Sequence, residues 1–442
     1  MGTIKVIHDA TIELPKIEDM LWEPAPEDGA TSVSDNPQTH ITGILAPLIK
    51  FNDMVINPQD IRSFSLRSTA FLPELSFTFV DRLNIISGID KVTKDSRVQI
   101  QIIPPADGMA KKLNMIFMID SCRVFGDEVS VSCLYKVPML YDTSFESFGK
   151  TTTWSVIEKL SSKMQLGFAS DINGTTDERY IYSNGQTYSD VIQREVKHGG
   201  DTQVIPDCWI DFKNNIILEN IYDRYMHKDQ DLKIKAVPSV LQDVRNVPTP
   251  FDAPGITNSE AFHNTSLYVE SFSMLGDGGS VISRGDNKIV DAFNMEQRSI
   301  NQIQLIDSDY KETNNYKYFY SGEVFGDYNY FQQKQCNDTF FKKIKTNMIE
   351  VTLGQPVLDL ERGDRVEFLW YDYNSVLKGM TDVEGADEAE SNSSKDPNAE
   401  RLNTQYSGQY LIVGVSIDFY NSTGSDFKWS YRLQMTKPDN YS

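Results

Sequence analysis

Histidines are the first residues to consider for chemistry, because their imidazoles bind metals and transfer protons near neutral pH. The five histidines lie far apart, and no H-E-x-x-H or H-x-x-x-H pair predicts a zinc site. They are His8, His40, His198, His227 and His263. We expect each to be a surface or packing residue. We predict no catalytic, metal-binding or cofactor-binding residues and no cofactor.

Two further patterns lack essential parts of a binding motif. The glycine-rich segment 276–280 lacks the full G-x-G-x-x-G pattern and the P-loop lysine, so it predicts a loop rather than a phosphate site. Two acidic pairs lack the glycine and distal glutamate of a calcium loop, which favours solvated turns. These pairs are Asp229 with Asp231 and Asp307 with Asp309.

Paired carboxylates for glycoside hydrolysis meet in space without a sequence signature, and 63 acidic residues offer many combinations. A glycosidase or a receptor-binding β-protein therefore stays an alternative. The segment from Tyr316 to Phe331 is dense in aromatic residues. Such residues line saccharide clefts, but they are also enriched at subunit interfaces, and we favour the interface.

Composition excludes several function classes. With 42 basic and 63 acidic residues the net charge is −21, so the average field repels phosphate backbones. The polar start of the chain predicts no signal peptide, and no apolar run reaches the roughly 20 residues that span a bilayer, so we expect no membrane partner. The four cysteines are spread too widely for a metal or redox motif and are expected to be free thiols. They are Cys122, Cys133, Cys208 and Cys336.

Hydrophobic periodicity divides the chain. Residues 1–40 are rich in proline and acidic residues without sustained periodicity, and predict an N-terminal arm. Residues 41–148 alternate apolar and polar side chains with period two, as in Phe64 and Leu66, and predict a first antiparallel β-barrel.

The middle region, 149–335, has helical periodicity at its start. Trp154, Ile157, Leu160 and Met164 share one helix face behind a cap at Thr152 or Thr153. A second helix, Tyr188 to Val196, is predicted behind a Ser189 cap and ends at Gly199-Gly200. Residues 208–218 predict a hairpin that turns at 213–215 and that could complete the second barrel. Residues 235–335 give no clear element.

Residues 336–442 predict a second β-barrel, because alternating segments return near 348–353, 366–371, 410–419 and 429–433. The acidic loop 380–405 lacks aromatic residues, so we expect it to be mobile and to be cut first by protease. The fold class is therefore mainly β with an α+β middle: two antiparallel barrels and a small helix-helix-hairpin domain.

Three groups of segments resemble the baseplate hub proteins of contractile-tailed bacteriophages, which are related to the hub part of the type VI secretion protein VgrG. These segments are Leu45–Asp53 with Phe64–Leu66 and Phe71–Asp81, then Thr153–Phe168 with Trp209–Asp211, and finally Ser407–Gly414 with Arg432–Leu433. Their order matches the family, and the resemblance covers about half of the chain.

The resemblance implies a structural protein, not an enzyme: a homotrimer of tube-like barrels that joins the hexameric tail tube to the trimeric central spike. The other implied partners are further baseplate proteins and genomic DNA, which passes through the lumen without specific binding. The implied location is the virion tail baseplate, assembled in the host cytoplasm, and the alternative becomes a tail-associated glycosidase or receptor-binding β-protein. We further expect two related barrels to alternate around the trimer axis, with polar and mostly non-basic walls facing the lumen.

Overall fold

The computed structural model describes residues 4–14, 46–51, 54–82, 96–102, 112–200, 204–226, 232–236, 269–275, 290–291, 318–319, 333–334, 337, 340–341, 344, 348–353, 356–358, 360–370, 407–421 and 427–437. No helix in these ranges is long and apolar enough to cross a membrane.

The first part of the chain forms a run of antiparallel strands. They are β1 (Lys5–His8), β2 (Leu48–Phe51), β3 (Met54–Val55), β4 (Ile61–Ser68), β5 (Glu74–Val80), β6 (Arg97–Ile102), β7 (Leu113–Phe125) and β8 (Glu128–Tyr135). A short 3-10 turn, Pro58–Asp60, precedes β4. Strand β8 shows the predicted period most clearly, because every second residue from Val129 to Tyr135 is buried.

The middle unit combines short strands with helices. Its elements are β9 (Thr143–Ser144), β10 (Ser147–Thr151), α1 (Thr153–Lys163), β11 (Gly167–Ser170), β12 (Arg179–Tyr182), β13 (Gln186–Thr187), α2 (Tyr188–His198), β14 (Pro206–Ile210), β15 (Asn215–Asn220) and α3 (Ile221–Met226). Thr152 caps α1 as predicted, by accepting the amide of Ser155. The turn between β14 and β15 contains Asn214 at φ +64°, a conformation that asparagine tolerates.

The last part of the chain supplies β16 (Leu232–Ala236), β17 (Val269–Leu275), β18 (Val290–Asp291), β19 (Tyr318–Phe319), β20 (Met348–Leu353), β21 (Arg365–Trp370), β22 (Gly408–Asn421) and β23 (Phe427–Thr436). Most of these strands join those of the first part in one 13-stranded sheet. Its main path runs β17-β20-β23-β22-β4-β5-β8-β7-β6-β2-β3. Strand β21 pairs with β22, and β16 pairs with β21.

Strand β22 is the seam between the two parts of the sheet. It pairs with β23 along its length, with β21 at residues 408–411, and with β4 at residues 415–420. A bulge between Ile412 and Gly414 separates the two regions. A Cβ on Gly414 would lie 3.0 Å from the Thr69 methyl carbon, so glycine permits the close approach of the chain that follows β4.

The mainly β fold with an α+β middle is confirmed. The boundaries at 41–148 and 336–442 stay a prediction, since the sheet itself runs through from one part to the other.

Three details differ from the sequence prediction. The hairpin 208–218 pairs with β11 in a four-stranded sheet, β1-β11-β15-β14, and not with the second barrel strands of the described chain. Part of the 1–40 arm is ordered, because β1 adds to the edge of β11. The cap of α2 is Thr187, which forms a capping box with Asp190, and not Ser189, which lies inside the helix.

Candidate functional site

One face of the large sheet is polar across both parts of the chain, whereas the other face is packed in the core. Directly opposed residues carry this polarity from strand to strand: Ser132 opposes Ser76, Ser76 opposes Ser65, and Ser65 opposes Asp418, which opposes Ser430. We define the polar face by these residues and seven neighbours on the same side of the sheet. Of these neighbours Glu74, Ser130, Arg67 and Tyr420 are exposed, whereas Ser63, Thr78 and Arg432 are half-buried.

Two arginines of the polar face have hydrogen-bond partners on it. Arg432 Nε lies 2.7 Å from Asp418 Oδ2, and this hydrogen bond raises the pKa of Arg432 above its ordinary value. Ser65 Oγ donates to Asp418 Oδ1 at 2.6 Å, and Arg67 Nε donates to Ser65 Oγ at 3.0 Å. Arg67 also stands opposite Glu74 in the strand register. Asp418 therefore partly neutralises Arg432, whereas Arg67 contacts an uncharged hydroxyl.

The residues between these polar positions hold the face in place. Phe64 opposes Phe77 on β5 and Phe419 on β22, and all three side chains are buried. Leu66 opposes Ile417 in the same way. Because alternate side chains of a strand point to opposite faces, burial of this set fixes the serines on the outside.

Arg362 ties the three parts of the chain together. It lies just before β21, and its Nη1 donates to the Ala70 carbonyl between β4 and β5 at 2.8 Å. Its Nη2 donates to Asp207 Oδ2 on β14, also at 2.8 Å. The guanidinium lies 4.7 Å from the ring centroid of Trp209, a cation–π contact. One side chain thus contacts both parts of the sheet and the middle unit.

A second buried charge cluster lies beside this tie. Arg224 Nε is 3.4 Å from Asp171 Oδ2 and 3.6 Å from Glu219 Oε2, and all three side chains are nearly inaccessible to water. At 3.6 Å the contact with Glu219 is an ion pair without a hydrogen bond. Burial raises the pKa of Glu219 well above its ordinary value and also raises that of Asp171. The cluster links α3 to the four-stranded sheet.

A cavity of about 210 Å³ opens next to Arg362. Its lining includes Phe71, Asp207, Cys208, Asn337 and Arg362. Burial raises the pKa of the Cys208 thiol well above its ordinary value, which leaves it protonated and unreactive. The lining holds one carboxyl group, whereas glycoside hydrolysis uses two, so the glycosidase alternative gains no support there.

No protein-family model matches the sequence, and no curated protein matches it. Three solved structures with a similar course of the chain are a tail protein from Neisseria meningitidis MC58, the 43 kDa tail protein of prophage MuSo2 from Shewanella oneidensis, and a Francisella PdpA-VgrG complex. The Neisseria protein is 10% identical over 89% of this chain and 96% of its own, with a TM-score of 0.48. The Shewanella protein is 11% identical over 89% and 98%, at 0.49, and the Francisella complex is 10% identical over 93% and 62%, at 0.41.

These neighbours are tail proteins and VgrG complexes, which is consistent with the sequence resemblance to baseplate hub proteins related to VgrG. Identities near 10% and TM-scores below 0.5 leave the function to be argued from the chain itself.

The residues that the sequence offered for chemistry do not converge in the described ranges. His8 contacts the hydroxyls of Ser161 and Ser162 at 3.0 and 3.1 Å, and His198 is a buried residue of α2. Three cysteines are free, namely Cys122, Cys133 and Cys208. No group of three or more His, Cys, Asp or Glu in these ranges could hold a metal. The remaining predictions fall on residues outside the described ranges. These are His40, His227, His263, Cys336, the 276–280 loop, both aspartate pairs and the 380–405 loop. The side chains of the 316–331 segment also lie outside the described part of the chain.

Sequence reasoning missed the polar face and the tie at Arg362. The serines of β4, β5 and β8 were visible as the polar half of an alternating pattern, but their alignment into rows depends on strand register. Arg362 and Asp207 are 155 residues apart, and nothing in either local sequence marks them as partners.

Proposed function

We propose that this chain is the structural hub of a phage tail baseplate, a homotrimeric adaptor that joins a hexameric tail tube to a trimeric central spike. Its proposed location is the virion tail, assembled in the host cytoplasm, and its role is not enzymatic. The proposal is supported by the sequence resemblance and by one structural observation. That observation is the single sheet whose polar face continues from one part of the chain to the other.

The polar face suits the wall of a channel for DNA. Hydroxyls offer weak contacts to phosphate, and the arginines on this face already contact carboxylates or a hydroxyl. A row of unpaired cations would instead bind the DNA backbone through counterion release and hold it in place. We therefore assign the polar face to the lumen, where DNA slides without specific binding.

Symmetry explains why both parts of the sheet are needed. A trimer with two tube-like barrels per chain presents six similar units to a hexameric ring, while its three-fold axis matches a trimeric spike. The pairing of β22 with β23 and β4 supports this arrangement, because it holds the two parts of the sheet in one orientation. The partners are thus the tail tube protein, the central spike protein and further baseplate proteins.

Mass measurement and pulldown test the adaptor role. We expect a species of three times 50.3 kDa, which retains the tube and spike proteins encoded in the same genome when they are added together. A chain that stays monomeric at micromolar concentration and binds neither protein would refute the proposal.

Charge substitutions test the channel wall. Lysines in place of Ser65, Ser76 and Ser132 should make the protein bind DNA, with each added cation near a phosphate steepening the log–log salt dependence by about 0.9. Glutamines at the same positions add bulk without charge and serve as the control. Equal DNA binding by the lysine and glutamine variants would place this face away from DNA.

A further inference from the structure

An aromatic surface lies on the outside of the middle unit. Residues 143–151 and 179–187 run antiparallel as a two-stranded ribbon, formed by the pairs β9–β13 and β10–β12. Three large side chains stand on its outer side: Phe145 is 86% exposed, Tyr180 76% and Tyr182 56%. Ile181, between the two tyrosines, is buried beneath them. We call these three rings the aromatic ribbon face.

The rings are held by a rigid support. The Phe145 ring lies over Gly185, where φ is +76° and a Cβ would come within 3.0 Å of the Phe145 Cζ atom. Arg194 Nη2 donates to the Tyr182 carbonyl at 2.7 Å and so anchors β12 to α2. Because the backbone beneath the rings is fixed, little conformational entropy is lost when a partner covers them.

The size of this face fits the core of a protein interface. An aromatic side chain buries roughly 150–250 Å² when it is covered, so three mostly exposed rings offer on the order of 450 Å². A standard interface buries about 800 Å² on each partner, with an aromatic centre and a polar rim. The neighbouring Thr143, Ser147 and Asn184 are exposed, polar and uncharged, and they provide such a rim.

The charge around the face indicates which partner it fits. Lys150 is the one exposed charged residue within 143–151 and 179–187, and its Nζ lies 2.8 Å from Glu178 Oε2. The whole chain carries a net charge of −21, so two copies repel each other over most of their surfaces. Because this patch has no net charge, it adds no repulsion of its own when another acidic copy covers it.

We propose that the aromatic ribbon face is a contact surface for a second copy of this chain, and that it holds the subunits of the trimer together. This inference rests on the proposed function, because it takes the homotrimer from it. Around a three-fold axis the contact is heterologous, so the ribbon of one subunit meets a different surface of the next.

The test compares two sets of substitutions in the full chain. One variant combines Phe145→Ser, Tyr180→Ser and Tyr182→Ser. The matched control combines Val124→Ser and Phe125→Ser at the tip of the β7–β8 hairpin, where the side chains are 54% and 88% exposed. Loss of a central aromatic contact typically lowers the affinity of an interface by a factor of about ten or more. We therefore expect the variant trimer to dissociate at a protein concentration at least about 100-fold higher than the wild-type trimer does.

Circular dichroism and amide exchange of α1 and α2 show whether the variants remain folded. Dissociation of the folded ribbon variant, with a change below about threefold in the control, supports the contact. A ribbon variant that stays as trimeric as wild type, or a control that dissociates equally, overturns it. A monomeric wild type that binds neither tube nor spike protein instead refutes the proposed function.

Photo-crosslinking gives a second readout that does not depend on stability. A benzophenone side chain in place of Tyr180 should yield covalent dimers of this chain, even when tube and spike proteins are present. Crosslinks to the tube or spike protein alone would overturn the inference and leave the adaptor role intact.

Discussion

Arg179 is the residue whose removal tests the support of the aromatic ribbon most directly. It is the first residue of β12, within the ribbon, and its side chain contacts residues of both helices. Its Nη1 contacts Asp177 Oδ2 and its Nη2 contacts Glu195 Oε2, both at 2.5 Å, and Nη2 also lies 3.0 Å from Thr153 Oγ1. The side chains of Asp177 and Glu195 are 0% and 3% exposed. Arg179 therefore joins β12, α1 and α2 through buried charges.

The substitution Arg179→Met keeps most of the side-chain volume but leaves both carboxylates without this cation. Breaking a buried ion pair typically costs 3–5 kcal/mol, because the remaining charge is uncompensated. Asp177 retains the amides of Thr153 and Gly200 as donors, and Glu195 retains Arg194 Nε at 2.6 Å. We therefore expect a cost at the lower end of this range: the free energy of opening of the middle unit should fall by about 3 kcal/mol.

Amide hydrogen exchange is the suitable assay, since a chain with several folded parts does not unfold in one step. A loss of about 3 kcal/mol speeds exchange in α1 and α2 by roughly 100-fold. Lys150→Met is the control, because its pair with Glu178 is exposed and such pairs contribute about 0–1 kcal/mol. If Arg179→Met changes exchange no more than Lys150→Met does, the argument from buried charge is wrong.

Three further predictions concern the four-stranded sheet and its neighbours. Burial raises the pKa of Asp211 to about 6, so the contribution of Asp211 to the free energy of unfolding falls as the pH rises from about 4 to about 6. Asp211→Asn should remove up to about 3 kcal/mol of this pH-dependent fall. Amide exchange of β14 and β15 at about pH 4 and about pH 7 measures the difference. Arg362→Met should destabilise the same strands by about 3 kcal/mol, because Asp207 loses its buried partner. The control Lys213→Met breaks the more exposed pair with Glu361 and should cost less than about 1 kcal/mol. Deletion of residues 1–9 removes the strand that pairs with β11, so amides 167–170 should exchange faster, and unchanged rates would show that β1 contributes nothing to this edge.

Local patterns predicted the elements that depend on local physics. The alternation around Phe64 and Leu66 predicted a strand with those two residues buried, and both are. On the predicted helix face, Ile157, Leu160 and Met164 are buried as their spacing indicates, and Trp154 is partly buried against the core. In each case the signal lies within a few residues, at the period of the element itself.

Contacts between distant segments could not be predicted in this way. Strand β1 reads as part of a polar arm, because its register with β11 is specified by residues more than 150 positions away. Thr187 and Ser189 are both good caps in sequence, and only the backbone shows that Thr187 and Asp190 form the reciprocal bonds. The β4–β22 pairing joins residues about 350 positions apart, so neither strand reveals its partner.

The seam and the Arg362 tie together indicate that the two parts of the sheet and the middle unit move as one rigid body. Backbone pairing between β4 and β22 spans residues 63–68 and 415–420, so the two parts of the sheet cannot rotate against each other without breaking a ladder of hydrogen bonds. Arg362 adds contacts to Ala70 and Asp207, which prevent the middle unit from sliding along that sheet. The proposed adaptor role needs this property, because quasi-equivalent contacts with six tube subunits would require the two parts of the sheet to hold one fixed relation.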